Sequence, residues 1–168
     1  MNRKRIKRVI ILALYLAISI ILSYVESVIP LPIPGVKLGL ANVIVLFLLY
    51  EDKWYTALLI LIARILLISF IRGTFLNVNF LMSLSGGAFS FILMFIFSRL
   101  KFLSSVTVSV FGSIAHVSGQ ILVAYLYMSS PGVLYYYPII LFLSIITGIL
   151  SGIICILMRK RKDLILTI

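Results

Sequence analysis

Three cations, Lys37, Arg64 and Arg72, stand inside or beside runs of residues otherwise suited to lipid. Arginine offers a planar, permanently charged fork of donors that matches phosphate or carboxylate, and lysine a flexible point charge. Neutral hydrogen-bonding residues recur around them: Asn42, Asn77, Asn79, Ser83 and Ser85, then His116 and Gln120, four apart and so on one helix face. Glu26 is the one carboxylate placed to balance the three cations. Such a set can hold an anion by its charged part and orient the remainder by hydrogen bonds. Arg64 lies about ten residues beyond Trp54, or ~15 Å along a helix, which puts it near the middle of a bilayer. A charge at that depth must face the protein interior or a wet cavity. The start of the helix after Asn79 adds free backbone N–H groups that favour an anion.

Other chemistries lack their residues. Cys155 is the single cysteine, and no Cys/His cluster has metal-ligand spacing. There is no GxxxxGK[ST] loop, so ATP hydrolysis must come from a partner. Asp52 and Asp163 each stand without a second aspartate nearby, so the magnesium-holding aspartate pair of prenyl chain elongation is missing. His116 and Glu26 have no spacing that specifies a nucleophilic triad. The expectation is a protein that binds rather than catalyses, with no intrinsic cofactor or metal.

Each candidate also has a plain structural reading. Lys37 and Arg72 can snorkel to lipid phosphates, and Arg64 can pair with Glu26. His116 and Gln120 can serve as interhelical hydrogen bonds, while Gly86-Gly87 and Gly148 with Gly152 suit close helix packing. The tyrosines at 135–137 suit an interfacial belt or part of a lid.

The elements that must position these residues follow from composition. With 168 residues, 63% hydrophobic and mean hydropathy +1.26, the chain has more apolar surface than a soluble domain of its size can bury, so the bilayer is its solvent. The reading is all-α: one polytopic membrane domain over 1–168, a six-transmembrane-helix bundle with spans at about 9–28, 38–50, 54–71, 80–97, 103–128 and 138–158. Pro30, Pro32 and Pro34 make the first connection extended. The second span is short for a bilayer. The net charge of +11 does not indicate nucleic acid, because the basic residues form terminal blocks without interleaved aromatics. With both termini in the cytoplasm of a cell-membrane protein, every Lys and Arg except Lys37, Arg64 and Arg72 falls on the cytoplasmic side, and six crossings satisfy the positive-inside tendency at both ends. The outer half then holds three cations against Glu26. In the first span Ala13 and Ala17, four apart, permit close approach of another helix.

The basic start, this AxxxA, PLPIPGVKLGLAN, RGTF, NFLMSLSGG and SIAHVSGQ, in that order, resemble the Gx transporter family, labelled heptaprenyl diphosphate synthase component I. The resemblance covers nearly the whole chain. It extends to the substrate-binding S components of energy-coupling factor vitamin transporters. It implies a six-helix membrane fold, a pocket open to the outside for a flavin, another vitamin-like compound or a prenyl phosphate, and docking through Ala13 and Ala17 onto a transmembrane coupling subunit driven by cytoplasmic ATPases. The alternative is a non-catalytic membrane subunit that anchors or regulates a prenyl diphosphate synthase.

Overall fold

A computed structural model of the chain describes residues 3–29, 31–33, 36–51 and 53–166. Pro30, Pro34, Gly35 and Asp52 lie outside the described residues, as do the side chains of Lys4, Arg5, Arg8 and 162–166. Among the described residues seven helices follow one another: α1 (Arg3–Val28), α2 (Asn42–Tyr50), α3 (Trp54–Ile71), α4 (Val78–Ser98), α5 (Ser105–Met128), the single turn α6 (Gly132–Tyr135) and α7 (Tyr137–Leu166). Five of them, α1, α3, α4, α5 and α7, are long and apolar enough to cross a membrane.

The second expected span is corrected: the stretch at 38–50 is helical only from Asn42. Nine residues rise ~14 Å, about half a hydrocarbon core. The preceding residues 36–39 have no regular secondary structure, and Gly39 takes φ +94°, a left-handed conformation that a side chain would strain. All of α2 from Asn42 to Leu49 is buried, enclosed by α1, α3, α4, α5 and α7. An isolated nine-residue helix is marginal in water. Here its apolar side chains form the centre of the bundle, with Ile44, Leu46 and Leu48 sealed against α3 and its neighbours.

Side-chain contacts gather the basic ends of the elements. Lys7 and Lys53 line one groove with Tyr15 and Thr56. The Arg159 guanidinium lies 4.6 Å over the Tyr50 ring and donates to Ser105 Oγ at 3.4 Å. Arg99 stacks over Phe95, whose ring also meets Trp54. The starts of α1, α3 and α5 and the ends of α2, α4 and α7 therefore share one end of the bundle, which we call the basic end. Glu26, Lys37 and Arg72 lie toward the far end. The chain from Lys37 to Tyr50 returns from the far end to the basic end, although it is helical only from Asn42.

Glycines set the helix spacing. A Cβ on Gly86 would meet His116 O at 2.7 Å, and one on Gly152 would meet Val106 Cα at 2.5 Å, so α4 on α5 and α5 on α7 pack backbone to backbone. The glycine pairs thus have the packing role that their plain reading assigns. Asn77 caps α4 by accepting from Val78 N at 2.7 Å, and Ser104 caps α5 by accepting from Thr107 N at 3.1 Å.

Candidate functional site

Non-helical backbone inside a lipid-solvated bundle must find internal partners for its N–H and C=O groups. The segment before α2 takes them from three helices. Gln120 of α5 grips Lys37 on both sides, accepting from its backbone N–H at 2.8 Å and donating to its carbonyl at 2.8 Å. Thr147 of α7 donates to Leu38 O at 3.1 Å. Glu26 of α1 accepts from Leu40 N at 2.5 Å. These bonds pin the Lys37 backbone while leaving its long side chain free to reach across the bundle.

That side chain ends on Ser83 Oγ, 3.3 Å from Lys37 Nζ, and Ser83 in turn donates to Asn79 O at 2.9 Å. Deeper in, Arg64 Nη2 donates to Asn42 Oδ1 at 2.9 Å, and Asn42 Nδ2 donates to Ser90 Oγ at 3.0 Å. Asn42 is thereby locked in one orientation between α3 and α4. Arg64 is 3% exposed and its Nη1 has no hydrogen-bond partner among the described residues. His116 packs against Gly86, and its Nδ1 likewise has none.

Two small polar cavities flank the Lys37 side chain. The inner one is bounded by Ser23, Glu26, Lys37, Gly39, Asn42, Arg64, Ser83 and His116 with Ile65 and Ile68, and the outer one by Lys37, Ser69, Arg72, Thr74, Asn79 and Ser83 with Ile68 and Phe80. Each has a volume of about 10 Å³, enough for roughly one water molecule. Lys37, Ser83 and Ile68 form the wall between them. The cluster is thus assembled but closed, with cations in sequence from Arg64 in the interior through Lys37 to Arg72 at the exposed end of α3.

Of the eleven residues expected from sequence, Glu26, Lys37, Asn42, Arg64, Ser83 and His116 share the inner cavity, while Arg72 and Asn79 join Lys37 and Ser83 around the outer one. Three are used elsewhere. Asn77 is exposed and occupied as the α4 cap. Ser85 donates to Gly119 O at 2.7 Å, tying α4 to α5. Gln120 is fully buried in its grip on Lys37 and lines neither cavity. Arg64 meets Asn42 rather than forming a direct hydrogen bond with Glu26, although both face the same space. Ser23, Ser90 and Thr147 escaped sequence reading. Ser19, Ser23 and Glu26 recur at helical spacing on the buried face of α1, as Ser83 and Ser90 do on α4, and that periodicity was the available signal.

Ala13 and Ala17 lie on the outward surface of α1, the least buried of the five long apolar helices. A wider groove of about 510 Å³ opens at the far end between Pro32 and Ile33 on one side and Tyr127, Met128, Ser130 and Tyr136 on the other. It is predominantly apolar and lies on the same connection that carries Lys37. Tyr137 donates to or accepts from Ser118 Oγ at 2.8 Å, and Tyr135 is exposed.

The grip on Lys37 yields a stability prediction. Gln120→Leu keeps the volume and leaves a buried N–H and C=O unpaired, at about 1–3 kcal/mol for each group. A loss of roughly 2–5 kcal/mol is expected in unfolding of the detergent-solubilised protein. An unchanged melting temperature would exclude the grip as a determinant of the fold.

A family model described as heptaprenyl diphosphate synthase component I matches residues 15–158. No curated protein and no solved structure gives a significant match.

Proposed function

The chain belongs to the heptaprenyl diphosphate synthase component I family, and from that premise we propose that it is the substrate-binding membrane subunit of a transporter for an anionic or amphipathic small molecule. The observation that carries this reading is Arg64: a buried guanidinium with a free Nη1, sharing a cavity with a second cation and only one carboxylate. An uncompensated cation inside a membrane bundle is costly, and an anionic ligand offsets that cost. The 510 Å³ groove supplies apolar room beside the same connection. Flavin nucleotides and prenyl phosphates combine an anionic with an apolar part.

In this reading the far end faces outward, the basic end faces the cytoplasm of a cell-membrane protein, and residues 36–50 make the second of six crossings. The resemblance to energy-coupling factor S components supports a coupling subunit docked on Ala13 and Ala17, with ATP hydrolysed by partner ATPases and no chemistry on this chain. The family's description favours a second reading, a non-catalytic subunit anchoring or regulating a prenyl diphosphate synthase. Mass spectrometry of the protein purified from its own membranes is expected to find a retained anionic small molecule. Co-purification of a soluble Asp-rich synthase that loses activity without this chain, and no retained ligand, would replace the first reading by the second.

A further inference from the structure

We infer that the groove of about 350 Å³ at the basic end, between α1 and the turn from α2 into α3, is a binding site for one anionic phospholipid. It is independent of the substrate reading, because it lies at the opposite end of the bundle from Lys37 and Arg72. Its volume falls in the range of about 300–1,000 Å³ usual for sites that hold a small molecule. Lys7 precedes Val9 and Lys53 precedes Trp54, the residues at which the apolar stretches of α1 and α3 begin. Both lysines and the Thr56 hydroxyl therefore stand at headgroup level. Ile11, Leu12 and Leu48 continue the groove toward the hydrocarbon, and Tyr15 closes it, its ring set against Phe47 at 5.7 Å. The order along the groove is cation and hydroxyl, then apolar wall, which is the order of phosphate and acyl chain in a phospholipid.

Charge selects the kind of lipid. Lys7 and Lys53 are exposed, and among the described residues no carboxylate lines the groove; Glu51, two residues before Lys53, is outside it. Each ammonium ends a flexible stem, so both can close on one phosphate without a fixed spacing, while the stems lie along the apolar wall. A zwitterionic headgroup brings a cation of its own, which two lysines repel; an anionic one does not. Any lysine at this level can meet passing headgroups, but a basic pocket between helices holds one lipid in place. On α1, Lys7, Ile11 and Tyr15 are four apart and share a face. Ala13 and Ala17 fall on the opposite face, so a lipid in the groove leaves that surface uncovered.

The test uses the full chain, delipidated in a neutral detergent and titrated with phosphatidylglycerol or with phosphatidylcholine of the same acyl chains, bound lipid being counted by native mass spectrometry. A lysine beside an anionic headgroup is worth about fivefold in affinity, so the first phosphatidylglycerol is expected to bind at least about tenfold more tightly than phosphatidylcholine. Lys7→Gln with Lys53→Gln should cut that advantage to less than about threefold. Lys101→Gln with Lys160→Gln removes the same charge from exposed positions of the basic end outside the groove, and should change it less than about twofold. Ile11 is 48% exposed, so Ile11→Trp fills the groove without entering the core. With both lysines kept, it should weaken phosphatidylglycerol at least about fivefold, which diffuse attraction to the basic end does not predict. Lipid-free melting temperatures of all three variants should match the parent. Equal affinity for the two lipids, an equal loss in the Lys101 and Lys160 variant, or parent-like binding by Ile11→Trp would overturn the site. So would displacement of phosphatidylglycerol by equimolar glycerol phosphate, which would assign the groove to a soluble anion.

Discussion

Arg64→Ala is expected to lower affinity for the co-purifying anion by about a hundredfold, the equivalent of two charge-assisted hydrogen bonds of ~1.5 kcal/mol each. Arg99→Ala should change it less than twofold, because Arg99 stacks on Phe95 at the basic end. The fold should survive the Arg64 change. Removing the guanidinium leaves Lys37 facing Glu26 in the inner cavity, one charge of each sign, and costs Asn42 Oδ1 its donor. Binding and stability are therefore expected to separate, as they do where a site keeps a charge that the fold itself does not need. Titration with the identified compound, paired with a thermal melt, reads both quantities. Parent-like affinity in Arg64→Ala would remove this residue from the site.

Glu26→Gln should raise anion affinity where Arg64→Ala lowers it, and should cost stability where Arg64→Ala leaves the fold standing. The carboxylate is 2% exposed and accepts from Leu40 N, a bond the amide oxygen of glutamine can keep, so the substitution removes charge while preserving the contact. Lys37 and Arg64 are then left together in a cavity with no carboxylate. Deleting one member of a buried charged cluster typically costs about 3–5 kcal/mol, and a loss of that order is expected in the melt. A second change, Arg64→Gln, should restore at least half of it, since it removes one of the two stranded cations. Anion affinity in Glu26→Gln should rise, because a competing negative charge has gone. A variant as stable as the parent, with the double variant no better, would show that Glu26 does not balance the cluster.

Much of the site was legible in the sequence because polar residues are rare in lipid-solvated helices and each one stands out. Arg64 in the middle of an apolar run and Glu26 near the end of another could be identified without coordinates, whereas the break before the second span was expected to end at Leu38 and continues to Ala41. Asn77 was less legible than it should have been. An asparagine immediately before an apolar helical run is a capping signal, and capping is what it does. Gln120 illustrates the harder limit. Its spacing from His116 put both on one helix face, but a face does not say which neighbour it meets, and Gln120 meets the backbone of a residue 83 positions away.

The sequence by itself determined the solvent and the inventory. Its hydropathy demands lipid around the bundle, its basic blocks mark the two ends of the chain as alike, and its few internal charges leave cations in excess over the single carboxylate at that level. These properties follow from composition and one-dimensional order, because transfer free energies and charge balance add along the chain. Only the tertiary structure decided that α2 is nine residues deep in the core rather than a full-length span, that the preceding non-helical backbone is satisfied by Glu26, Gln120 and Thr147, and that Lys37 divides the cation cluster into two small cavities. Those outcomes depend on the rotation and axial offset of separate helices. Both are set by where glycines such as Gly86 and Gly152 let backbones touch, so no local pattern encodes them.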